Sequence, residues 1–131
     1  MNNRYPWLDE FLSGRLGAVK DFKAEWGWMR YQVGGKMFAA ICTPGEEHKA
    51  YSGHTLINLK CDPLMADLLK EQYADIRPAF YMDKRHWISI YLDGDVPDDL
   101  LRMLSAESHR LVFETLTKKI QKELTAAQKT E

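Results

Sequence analysis

Six side chains in the middle of the chain are of the types that hold a polyanion: Arg30, Lys36, Lys60, Lys84, Arg85 and Trp87. Cations interleaved with an aromatic ring suit phosphate pairing combined with base stacking. These six are therefore the candidate nucleic-acid contacts. Other chemistry is poorly provided for. His48, His54, His86 and His109 form no HxxxH or HExxH arrangement, and Cys42 and Cys61 have no metal-type spacing to a histidine. Asp93, Asp95, Asp98 and Asp99 lack the glycine and terminal glutamate that a calcium loop needs at set offsets. The last two of these acids suit a helix start instead. Ser108 has no base near it and reads as a hydroxyl tying a helix to a sheet. No nucleophile, base and orienting group can be assembled from spacing, so the expectation is no enzyme, no cofactor and no metal.

The elements that must position these residues follow from periodicity and punctuation. Pro6 with Asp9 and Glu10 opens a helix, and Trp7, Leu8, Phe11 and Leu12 form its apolar stripe. Residues 18–28 read as loop with a short extended piece. Residues 29–33 alternate apolar and polar, Gly34-Gly35 supplies a primed two-residue turn, and residues 36–42 run back as a second strand. A loop rich in Pro and Gly follows, then a third strand over 55–61 with Ile57, Leu59 and Cys61 on one face and Asn58 and Lys60 on the other. Asp62-Pro63 is an N-cap and an N1 proline opening a helix with Leu64, Leu68 and Leu69 inward. Residues 79–82 and 87–92 flank Asp83-Lys84-Arg85-His86 as a second hairpin. The last helical region begins at Pro97, with a break expected near Ser105, and Lys118, Lys119 and Lys122 complement its C-terminal dipole.

Tight turns make the strands antiparallel. The expected fold class is α+β, a two-layer sandwich with an antiparallel sheet and helices on one face, in the order α-β-β-β-α-β-β-α. Residues 1–124 are expected to form one domain and 125–131 a flexible tail. In that arrangement Arg30, Gln32, Asn58, Lys60, Trp87, Ser89 and Tyr91 share the face opposite the helices. It reads in two ways: as a ligand-binding surface, or as an ordinary solvated face on which Trp and Tyr cover neighbouring strands. Cys42 and Cys61 end different strands at opposite ends of the sheet, so no disulfide is expected.

The 131 residues are 45% hydrophobic and 28% charged, ordinary globular usage, and the formal net charge is -1. Such a balance disfavours strong non-specific binding of nucleic acid. No apolar run approaches a membrane span, and Met1 to Pro6 carries no apolar signal region, so a cytoplasmic location without membrane attachment is expected.

Several pieces together resemble the MmcQ/YjbR family: Tyr31-Gln32-Val33-Gly34-Gly35-Lys36-Met37-Phe38-Ala39, Leu59-Lys60, His86-Trp87-Ile88-Ser89-Ile90, then Ser108, Leu111-Val112, Leu116 and Lys118-Lys119. The resemblance implies a fold related to the secretion-chaperone type and a double-wing contact with DNA. The wings would be the two hairpins, carrying Lys36 and Lys84-Arg85-His86. The alternative partner is a protein, or a second copy of the chain, docked on the same face through its aromatic residues.

Overall fold

A computed structural model of the chain describes residues 4–129. It is α+β, as expected, with a six-stranded antiparallel sheet. In chain order the elements are α1 (Leu8–Ser13), β1 (Ala18–Lys23), β2 (Trp28–Val33), β3 (Lys36–Cys42), β4 (Leu56–Lys60), α2 (Pro63–Gln72), β5 (Ile76–Pro78), β6 (Trp87–Tyr91), α3 (Asp98–Phe113) and α4 (Lys118–Lys129). A single 3-10 turn, Glu46–His48, interrupts the loop between β3 and β4.

The strands lie side by side in the order β1-β2-β3-β4-β6-β5. Gly34 and Gly35, with φ of 58° and 80°, make the expected turn between β2 and β3. A bulge follows it: Tyr31 pairs with Ala39 but Gln32 with Met37. The extra residue, Phe38, is thereby turned into the helix-side core next to Ala39. That core joins Leu8 and Leu12 of α1, Leu69 of α2 and Leu101, Leu104 and Val112 of α3 to Ile57, Leu59, Ile88 and Ile90 of the sheet. Asp62 caps α2 by accepting from the backbone N–H groups of Leu64 and Met65, at 3.1 and 3.3 Å.

Four expectations are corrected. The segment read as loop contains β1, which pairs with β2 over its whole length. The second hairpin uses residues 76–78 rather than 79–82 as its first strand, and Pro78 is accommodated because β5 is an edge strand. The last helical region is continuous through Ser105 and turns a corner at residues 114–117 instead. In α2 the inward residues are Ala66 and Leu69, while Leu64 and Leu68 face solvent. α4 continues through Thr125 to Lys129, and residues 130 and 131 lie outside the described residues.

Candidate interaction surfaces

Strand directions bring five of the six candidate contacts to one end of the sheet. Lys36 opens β3, Lys60 ends β4, Trp87 opens β6 directly across from Lys60, and Lys84 and Arg85 precede it. Arg30 lies in mid-strand, away from that end. Its guanidinium is held in two bonds by Asp21, at 2.9 and 2.6 Å, so its charge is matched. Lys36 pairs with Val33 on the helix side, and its ammonium donates to Thr115 Oγ1 at 3.2 Å. The Lys84 ammonium donates to the Ala79 carbonyl within its own loop, at 2.7 Å. Asp83 draws the loop together by accepting from the Arg85 N–H at 2.9 Å and facing His86 Nδ1 at 2.6 Å. The His86 contact, then the Arg85 N–H, hold its carboxyl below the usual range. Lys60 and Arg85 make no ion pair among the described residues.

The first hairpin is not a free wing. A Cβ built on Gly34 would lie 2.7 Å from both methyls of Leu116, so the turn is packed against the α3–α4 corner.

The sheet face opposite the helices is closed, not solvated. Residues 43–55 and 79–86 fold across it and complete a second core of Trp28, Ala40, Cys42, Leu56, Phe80 and Tyr91, with Tyr51 packed against it. Asn58 and Ser89, expected on an open face, are fully buried, and Tyr91 is buried beside them. Their polar atoms are satisfied in a ring of three bonds. The Asn58 amide donates to the Phe80 carbonyl (3.0 Å), the Phe80 N–H to Ser89 Oγ (2.8 Å), and the Ser89 hydroxyl to Asn58 Oδ1 (2.5 Å). Tyr51 and Tyr91 donate to the Pro78 and Ala50 carbonyls at 2.7 and 2.8 Å, sealing the two segments to the sheet. Of the expected stacking platform, only Trp87 remains partly exposed.

The nucleophile and metal candidates are equally occupied. Cys42 and Cys61 are buried and unpaired, one in each core. Burial pushes their thiols up to about 12 and about 11, so neither is a ready thiolate. His54 stacks on Tyr91 with ring centroids 3.9 Å apart and faces Asp93. His109 donates from Nε2 to the Leu16 carbonyl at 2.7 Å. Among the described residues no three His, Cys, Asp or Glu side chains gather into a metal-type cluster. Among the described residues no helix is long and apolar enough to cross a membrane.

A different surface emerges at β1, in the segment whose pattern reads as loop. The pairing registers align Phe22, Met29, Ile41, Ile57, Ile90 and Ile76 in one lateral row on the helix side of the sheet. Ile57, Ile90 and Ile76 are sealed by helices, Met29 and Ile41 are half-buried, and Phe22 is 58% exposed. The row becomes exposed because α1, only six residues long, leaves this corner of the sheet uncovered. A groove of about 370 Å³ opens there, with Met29, Tyr31, Ile41, Leu8 and Leu92 in its walls. At its rim the Asp9 carboxylate accepts from the Lys20 ammonium and the Tyr31 hydroxyl, both at 2.7 Å. Lys20, then Tyr31, hold Asp9 below the usual carboxylate range. Burial, then Asp9, push the Tyr31 phenol well above its own. Beside the groove β1 is an edge strand that carries Val19, 62% exposed, and is followed by Trp26, 55% exposed. Both faces of β1 mix apolar and charged residues, Ala18, Lys20 and Phe22 on one and Val19, Asp21 and Lys23 on the other, so period-two patterning gives no strand signal there.

The YjbR family model matches residues 16–111. The chain belongs to the YjbR family. Among its relatives is the protein described as uncharacterized protein YjbR of Escherichia coli K12, 28% identical over 103 residues, which are 79% of this chain and 81% of that one. The uncharacterized protein YbdF of Escherichia coli O157:H7 is 36% identical over 92 residues, 70% of each chain. Among solved structures, the Deinococcus radiodurans protein DR2400, with its DUF419 domain, superposes with a TM-score of 0.73 at 26% identity. It covers 90% of this YjbR-family chain and 85% of its own. A Pseudomonas syringae protein gives 0.68 at 21% identity, covering 86% and 99%, and supports the fold alone.

Proposed function

We propose that this YjbR-family chain is a non-enzymatic protein-interaction module that engages its partner along β1. The observation that carries the reading is the apolar row that runs out to Phe22 beside an unpaired strand edge. A large apolar side chain next to free backbone donors and acceptors is the surface to which an added strand binds: the main chain supplies affinity and side-chain pockets supply specificity. The two buried, unpaired thiols suit a reducing compartment such as the cytoplasm. The test places a photo-cross-linking residue at position 22 of the full chain in cells, with exposed position 46 as the control. A covalent adduct to protein at 22 and none at 46 is expected. Absence of any protein adduct at 22, the chain's own included, would overturn the reading.

One observation favours a second reading, as a DNA-binding protein. The β2–β3 turn and the β5–β6 connection lie at the same end of the sheet, where Lys60, Arg85 and Trp87 keep exposed groups. Phosphate contacts from that end would position the protein without reading bases. Duplex binding over a salt series decides it: affinity tighter than about 100 µM that weakens steeply with salt supports the reading, and a flat response removes it.

A further inference from the structure

We infer that the partner of β1 is β1 of a second copy of this chain, paired antiparallel with Phe22 opposite Phe22, so that six strands from each copy form one continuous sheet. The inference rests on the protein-interaction reading above. A two-fold axis normal to the sheet keeps the helix layers of both copies on one side. Residues directly opposite must then face the same way, which admits only registers centred on a single residue of β1.

Charge selects among them. Centring on Lys20, Asp21 or Lys23 sets a residue against its own like charge, which is destabilising in a cross-strand pair. Centring on Ala18 pairs that residue alone within β1, and centring on Val19 or on Phe22 pairs three residues of each strand; centred on Val19 the three are Ala18, Val19 and Lys20, which bring no opposite charges together. Centring on Phe22 sets the two rings together and opposes Asp21 to Lys23 twice, once on each side of the axis. It also joins ion pairs that already exist within each copy. Arg30 holds Asp21 at 2.6 Å and Lys23 holds Glu25 at 2.9 Å, so the contact would order charges as plus, minus, plus, minus across the boundary. On the helix side the apolar row no longer ends in water: Phe22 of one copy meets Phe22 of the other, and the two grooves adjoin across the axis.

The test uses the purified full chain. Sedimentation should show a monomer–dimer equilibrium, and Phe22→Glu should weaken it by about tenfold or more, as loss of an aromatic anchor does. Lys23→Glu, which opposes Asp21 to an acid, should weaken it as well. Under mild oxidation Phe22→Cys should form a disulfide dimer and Lys20→Cys, opposite Ala24, should not; the native thiols are buried and stay out of the reaction. A wild-type chain that remains monomeric, or a Lys20→Cys dimer without a Phe22→Cys dimer, overturns the inference. If position 22 still cross-links to a different protein in cells, self-pairing falls and the module reading stands.

Discussion

Ser105 and Ser108 sit one helical turn apart on α3, both fully buried, and only Ser108 has partners for its hydroxyl. Ser108 Oγ donates to the Phe38 carbonyl at 2.6 Å and accepts from the Lys60 N–H at 2.8 Å, fastening α3 to β3 and β4 together. The Ser105 hydroxyl finds no partner among the described residues. Ser108→Ala orphans a buried donor and acceptor and should cost about 2 kcal/mol, whereas Ser105→Ala should be neutral or stabilising by up to about 1 kcal/mol. Urea unfolding of the two variants checks the contrast, and equal losses would refute it.

The ring of bonds through Asn58, Ser89 and the Phe80 backbone holds the segment 79–86 over the sheet. Asn58→Ala opens that ring in a buried setting and should destabilise the chain by about 2–3 kcal/mol. Because the segment roofs Cys42 and not Cys61, the variant should also speed the reaction of Cys42 with a thiol reagent. A labelling rate unchanged at Cys42 would show that the segment is held by its apolar contacts alone.

His109 makes stability depend on pH. Burial first, and Arg15 after it, lower its folded-state pKa, against the opposing bond to the Leu16 carbonyl. With an unfolded pKa near 6.5, the group is neutral in both states above that value and contributes fully. As the pH falls below about 6.5 the unfolded chain takes up the proton first, so stability is lost until the folded-state pKa is passed. His109→Phe keeps the stacking on Phe113 and the edge contact with Phe38. It should be less stable at neutral pH, for want of the Leu16 bond, but flatter between pH 7 and 5. Asp9 acts at lower pH: its folded pKa lies below the ordinary carboxylate value, so its contribution is full above that ordinary value and is lost as the pH falls from there through the folded pKa. Urea midpoints of both proteins at pH 7 and 5 give the answer.

Gly34 and Gly35 both have positive φ, yet they are not equivalent. Nothing lies within 4 Å of a Cβ at Gly35, so Gly35→Ala should cost only the left-handed strain, about 1–2 kcal/mol. Gly34→Ala adds the clash with Leu116 and should cost more by about 1–2 kcal/mol, as overpacking does. In a Leu116→Ala background the difference between the two glycine variants should disappear, a coupling that a double-mutant cycle measures directly.

Much of the architecture was legible. The Gly34-Gly35 hairpin, the alternation of β4, the Asp62-Pro63 helix start and the role of Ser108 as a tie all follow from local rules that the tertiary structure leaves intact. β1 was not legible because an edge strand buries neither face: Val19 and Phe22 stay exposed, and Lys20, Asp21 and Lys23 dilute the apolar signal. The closed sheet face was missed for the opposite reason. Asn58 and Ser89 have the polarity of solvent-facing residues, and only distant segments supplying the Phe80 backbone groups make their burial favourable. In α2 the spacing of Leu64 and Leu68 marks a stripe, but the helix is turned so that the smaller Ala66 approaches the sheet with Leu69. The candidate site inherits these limits: gathering of the basic residues at one end depends on strand order, which no local pattern encodes.

The gradient of burial along the row from Ile76 to Phe22 also sets an order of local opening. Amide protons of β4 and β6, shielded on both faces, should exchange with solvent only on global unfolding. Those of β1, held by one neighbouring strand and little else, should exchange through a far cheaper detachment. The strand proposed to meet a partner is thus also the one the native state most readily lets go, and any partner that pairs with it would be read out as a slowing of hydrogen exchange confined to residues 18–23.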